Sequence, residues 1–225
     1  MQIERLILAD RVFDGARMRR SRCAVGIADG RIAFIDTAEA LAGQFRDVER
    51  LDCPAGATLL PGFIDLNMKL VRWRRAISRG WADESLVETV VRCQGNLTTL
   101  LEQGCTHVRD VAASWKLNTQ LRDAVATGLL PGPGISAAGM PIAAAGRASK
   151  SYPVRACRGA DDARGHAREL LAEGVDVISV SVTSGAATDG WQQLTEAEIR
   201  AVTDEVHRAG KRVTAMCVGA AGARA

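Results

Sequence analysis

The chain has 225 residues, of which 47% are hydrophobic and 24% charged, and 29 basic against 26 acidic side chains leave a net charge of +3. That is ordinary for a folded globular protein and allows one large domain or two small ones. The near balance of charge argues against a nucleic-acid partner or a membrane surface.

The N-terminus, "MQIERLILADRVFDG", places charges inside its apolar run and has no small-residue cleavage site, so no secretory leader is expected. Residues 2–60 read as β structure. "ERLILADRVFDG" stops at Asp14-Gly15. "CAVGIADGRIAFID" is two strands about an Asp29-Gly30 hairpin turn, and "RLDCPAGATLLPG" adds another strand punctuated by Pro54 and Gly56. Short strands at this spacing predict a small β-sandwich portion over residues 1–60.

From residue 61 strand-like runs alternate with helical ones. Strands are expected near 62–66, 105–111, 134–138, 175–182 and 212–218. Between them lie helices over Glu84 to Gln103, closed by Gly104, and over "LNTQLRDAVATG" to Gly128. A third is capped by Asp161 and ends at Gly174. A fourth opens with Thr195 and Glu198 at capping-box spacing and ends at Gly210. The longest charge-free stretch, Ala124 to Gly146, is broken by Pro131, Pro133 and Pro141, so it is no transmembrane helix. Alternation of this kind predicts an α/β fold with a parallel sheet. Residues 61–225 fall short of the roughly 250 residues of a closed eight-stranded barrel. The expectation is therefore a partial (β/α)8 TIM-like barrel of about five βα units. Its inner face is expected to be apolar, and the pattern stops on a strand.

Six cysteines are scattered without any CxxC spacing. They read as small core residues in a reducing compartment, which predicts a cytoplasmic protein.

"DGRIAFID" followed by "LDCPAGATLLPGFIDL" resembles the amidohydrolase superfamily, as do "EQGCTHVRDV", "LRDAVATGLLPGPGI", "GVDVISV" and "AEIRAVTDEVHRAGKRVTAMCVGAAGARA". Their order resembles the imidazolonepropionase-like branch, which includes Xaa-Pro dipeptidase-type enzymes. The resemblance implies metal-dependent hydrolysis of C–N, amide or dipeptide-type bonds, often with zinc. Its ligands would stand at the C-terminal ends of barrel strands, where a metal lowers the pKa of water and polarises a carbonyl.

At the positions that the resemblance marks as metal ligands, this chain carries Asn67, Lys69, Ser179, Met216 and Val218. A further histidine position aligns loosely near Arg147. A neutral amide is a poor ligand, an ammonium repels a cation, and valine has no donor. No metal is therefore expected in this chain. Asp110 and Cys217 are the candidate substitutes. For Asp110 the structural alternative is an ion pair with Arg109, and for Cys217 a core position facing the helix layer. Lys69 reads as a solvated cation rather than a Schiff-base former, and Asp65 as a structural carboxylate. His107, His166 and His207 read as structural. "GPGISAAG" lacks phosphate-loop spacing.

The favoured expectation is a catalytically inactive amidohydrolase relative, acting as a scaffold or interaction subunit, or a relic. One alternative is a hydrolase with a rebuilt or partner-completed metal site. Another is a ligand-binding half barrel with an anion rim at Arg72, Trp73 and Arg74. The expected partner is a second copy, or a second chain that completes the barrel.

Overall fold

The structure, a computed structural model, describes residues 2–41, 43–45, 47–71, 84–145, 153–184 and 191–224. The chain divides into two compact units, Met1–Gly62 and Phe63–Ala225.

The first unit holds seven short strands among its described residues: β1 (Arg5–Ala9), β2 (Arg11–Phe13), β3 (Met18–Arg19), β4 (Cys23–Ala28), β5 (Arg31–Thr37), β6 (Glu49–Asp52) and β7 (Thr58–Leu59). They form a four-stranded sheet, β5-β4-β1-β6, and a three-stranded sheet, β3-β2-β7. Asp29 and Gly30 both have positive φ, 51° and 68°, which is the turn chemistry that lets β4 fold back on β5. Asp14 accepts the Arg17 and Ala16 amides, and these bonds hold its carboxyl down to about 2. Alternation along β1 sends Leu6 to one buried cluster with Ile3, Ala24 and Ala28. It sends Ala9 to another with Val12, Cys23 and Val25, which draws on both sheets.

The second unit opens with β8 (Phe63–Met68), α1 (Leu86–Glu102), β9 (Cys105–Asp110), α2 (Leu117–Ala126) and β10 (Gly134–Ala137). It continues through β11 (Ile142–Ala144), β12 (Arg155–Cys157), α3 (Ala160–Ala172), β13 (Val177–Ser181), β14 (Thr183–Ser184) and β15 (Trp191–Gln192). It ends with α4 (Glu196–Arg208), β16 (Arg212–Met216) and α5 (Gly219–Arg224). Strands β10-β9-β8 are parallel, and so are β12-β11-β13-β16. The Asp176 amide donates to the Ala137 carbonyl at 2.8 Å, which links the end of β10 to the start of β13.

Helix α1 is closed by a capping box. The Ser85 hydroxyl accepts the Glu88 amide and the Glu88 carboxylate accepts the Ser85 amide, while Gly104 at φ 80° ends it. Its inner face, Cys93, Leu97 and Leu100, packs on Met68, Val108 and Ile135. A second cluster joins Leu170, Ile178, Val180, Val202 and Val206. Each such fully buried leucine, isoleucine or valine contributes about 1.5–3 kcal/mol.

Three expectations are corrected here. The N-cap of α3 is Gly159 at φ 89°, and Asp161 lies inside the first turn. The last described element is the short helix α5, not a strand. "RLDCPAGATLLPG" supplies two strands, β6 and β7.

Candidate functional site

Side-chain alternation on the parallel strands decides what faces the concave side of the sheet. Met68 lies in the helix-side cluster, so Asn67 and Lys69 turn the other way. Ile178, Val180 and Val182 also pack on the helix side, which leaves Ser179 and Ser181 on the concave side. The register of β13 and β16 sets Ser179 beside Thr214 and Ser181 beside Met216.

These positions converge. Lys69 Nζ lies 3.2 Å from Met216 Sδ, and the Val218 amide donates to Thr183 Oγ1 at 2.7 Å. The Asn67 amide N–H donates to Asp65 Oδ1 at 2.8 Å, so Asp65 organises the strand end. Ser181 Oγ is buried with no hydrogen-bond partner. The chemistry gathered at these strand ends is thus an amide, an ammonium, three alcohols, a thioether and an isopropyl group, with the Asp65 carboxylate engaged by the Asn67 backbone amide. It does not fit a divalent metal: the cation repels one, and the neutral groups are weak donors for it. Among the described residues no three His, Cys, Asp or Glu side chains are grouped to hold a metal ion.

The two candidate substitutes stand apart in character. Asp110 is wholly buried, in register with Met68, and its Oδ1 accepts the Ala112 amide at 3.2 Å. Its Oδ2 has no hydrogen-bond partner. Burial pushes its carboxyl up to about 7, against the pull of the Ala112 and Leu70 amides and the Lys69 charge. Burial likewise pushes the Cys93 thiol up to about 12, and Asp110 adds to that rise. The expected Arg109–Asp110 ion pair is absent among the described residues. Adjacent strand residues point to opposite faces, and Arg109 Nε–H donates instead to the Leu66 carbonyl at 2.7 Å. Cys217 is exposed, not a core residue, because β16 stops at Met216 and alternation carries no further. Partial burial raises its thiol pKa, the opposite of what a reactive thiolate needs.

His107 pairs with Ser136 Oγ at 2.9 Å, His166 lies 3.2 Å from the Ala156 carbonyl, and His207 sits in the last turn of α4. Arg72, Trp73, Arg74 and Arg147 lie outside the described residues. The expected apolar inner face is also corrected. A cavity of about 450 Å³ on the concave side is lined by Leu66, His107, Arg109, Ser136, Val177 and Arg212, together with Asp176, Gly210 and Lys211. Alternation along β9 and β16 sets which face Arg109 and Arg212 take, but no sequence signal placed the two at one cavity. Asn118, whose Nδ2 donates to the Asp110 carbonyl at 3.3 Å, had no sequence signal.

The model of the amidohydrolase family matches residues 58–224. Among solved structures, a Xaa-Pro dipeptidase with methionine bound in its active site is 26% identical, with a TM-score of 0.83 over 98% of this chain and 58% of that one. A prolidase complexed with N-methylphosphonate-L-proline is 24% identical, with a TM-score of 0.77 over 94% of this chain and 55% of that one. The ochratoxinase of A. niger is 20% identical, with a TM-score of 0.78 over 97% of this chain and 57% of that one. The last two likenesses show the fold alone: α/β and, in part, TIM-barrel-like. The chain spans little more than half the length of each of these structures. No curated protein matches it.

Proposed function

This chain belongs to the amidohydrolase family, and on that premise we propose that it is a member without the family's metal-dependent hydrolysis. One contact carries the reading: Lys69 Nζ stands 3.2 Å from Met216 Sδ, at two positions that the resemblance marks for metal ligands. A fixed ammonium takes the place of a divalent cation, and no hydroxide is generated without one. In this reading residues 61–225 form an incomplete barrel of about five βα units, residues 1–60 form part of a β-sandwich, and the chain is a scaffold or interaction subunit. Six free thiols support a reducing, cytoplasmic setting, and no helix among the described residues is long and apolar enough to cross a membrane. The test is elemental analysis after zinc loading and exhaustive dialysis, with an assay of Xaa-Pro dipeptide hydrolysis. Near-zero zinc and no turnover are expected; stoichiometric zinc with turnover would sink the proposal.

A second reading, a hydrolase whose site is completed by another copy or another chain, draws on the sheet edges. β8 and β16 each end their sheet, and Phe63, Ile64 and Leu66 on β8 are 60%, 61% and 54% exposed. Unpaired apolar edges invite pairing. This reading requires activity that rises with protein concentration as the assembly forms.

A further inference from the structure

The interior of a closed β/α barrel is ordinarily filled by layers of bulky branched side chains. The concave face of this sheet is not. β9 contributes His107 and Arg109, β10 Ser136, β13 Ser179 and Ser181, and β16 Arg212 and Thr214, with the register placing Ser136 beside Arg109 and Ser179 beside Thr214. Around the cavity of about 450 Å³ stand three cationic side chains, Arg109, Lys211 and Arg212.

None of the three has a carboxylate partner among the described residues. Arg109 spends Nε–H on the Leu66 carbonyl at 2.7 Å, which orients the guanidinium and leaves its other N–H donors for a ligand. Asp176, the one carboxylate at the cavity among the described residues, accepts Arg122 Nη1 at 2.8 Å and the Ala137 amide at 2.9 Å. His107 Nε2 and Ser136 Oγ, 2.9 Å apart, add a polar pair to the wall. Among the described residues, three cations thus line the cavity against one carboxylate, and that carboxylate is already paired with Arg122. Its volume lies in the range of small-molecule sites.

We propose that this concave face is an oxyanion-binding cleft that takes a small ligand bearing carboxylate or phosphate groups. Arg109 supplies planar donors from a half-buried position. Lys211 and Arg212 supply charge at the rim, where it also draws anions toward the opening. The cavity lining needs no metal and includes none of the former ligand positions, so the proposal stands or falls apart from the loss of hydrolysis.

Isothermal titration of the full chain at low ionic strength, with citrate and with inorganic phosphate as separate probes, tests this. Saturable one-site binding of at least one probe is expected, weakening at least tenfold between low and physiological salt. The two arms tell a polycarboxylate from a phosphate preference. Arg109→Gln together with Arg212→Gln should lower affinity at least tenfold. Lys211→Gln with Arg212→Gln, which leaves the Leu66 contact intact, should lower it by a smaller but measurable factor. Arg31→Gln, in the other unit, should leave affinity unchanged. Absence of binding to either probe overturns the proposal. So does equal binding by the wild type and the folded Lys211/Arg212 variant, or a loss on Arg31→Gln as large as that in the cleft.

Discussion

Lys69, just past the end of β8, and Met216 on the end of β16 meet with 3.2 Å between Nζ and Sδ, although 147 residues separate them in sequence. The thioether is a weak acceptor, so the contact itself adds little stability. Its weight lies in the convergence: side chains from two distant strand ends reach one point. Given that convergence, replacing the ammonium and the thioether by imidazoles restores a donor set. Asn67→His, Lys69→His, Met216→His and Val218→His combined should retain on the order of one zinc per chain after dialysis, where the wild type retains almost none. Elemental analysis reads both. A quadruple variant that folds and still retains no zinc would show that the four positions do not converge as the resemblance places them.

Asp110 makes stability depend on pH in an unusual direction for a carboxylate. Its folded-state pKa of about 7 stands above the ordinary 3.8, so the native state binds more protons than the unfolded state between those values. The contribution is fully present below about 3.8. It is lost as pH rises toward 7 and levels off beyond. Asp110→Asn keeps an oxygen for the Ala112 amide and cannot ionise. Urea denaturation from pH 4 to 8 should show the wild type losing on the order of a few kcal/mol relative to Asp110→Asn. Parallel pH profiles for the two proteins would refute a buried, titrating Asp110.

Glu84 and Arg92 form an ion pair with 4% and 10% of their side chains exposed, and Arg92 also donates to the Val71 carbonyl at 2.6 Å. Hydrogen bonding to Arg92 holds the Glu84 carboxyl below its ordinary range, and the same bond raises Arg92. Glu84→Gln strands a buried guanidinium and should cost about 3–5 kcal/mol. Glu84→Gln with Arg92→Met removes both charges and should cost less than the single change. A double variant at least as unstable as the single one would contradict the pair's role.

Much of this fold was legible in the sequence because its punctuation is local. Asp29-Gly30, Gly104 and Gly128 mark turns and helix ends through backbone conformations that favour glycine, and Thr195 and Glu198 mark a helix start by spacing alone. β11 and β12, three residues each, are too short to show a period. The α1 boundary was displaced because Glu84 looks like a first-turn acid, whereas its carboxylate serves Arg92 and the cap is Ser85. At the site, Asn67 and Lys69 could be placed together by a period of two. Cys217 could not, since the strand ends one residue before it. The charge of the concave face was hidden because Arg109 and Arg212 come from distant strands in two different sheets, and only the fold of the unit brings them to one cavity.

Glu198 is where helix capping becomes tertiary structure. One carboxylate oxygen accepts the Thr195 amide and hydroxyl, each at 2.8 Å, and the other accepts the Gly159 amide at 2.8 Å. A single side chain thus ties the N-terminus of α4 to that of α3. Burial pushes its carboxyl up, but the Thr195 and Gly159 amides together hold it below the ordinary range. Its contribution is therefore present above the unfolded pKa and lost as pH falls through the folded one. Gly159 is the N-cap of α3, and its own amide finds its acceptor in Glu198. Ser85→Ala, which breaks a cap confined to α1, should cost about 1 kcal/mol. Glu198→Ala also leaves the Gly159 donor unsatisfied, and should cost about 2–4 kcal/mol at neutral pH. Urea midpoints of the two variants decide the matter. If Glu198→Ala costs no more than Ser85→Ala, the bridge between α3 and α4 contributes nothing beyond the cap.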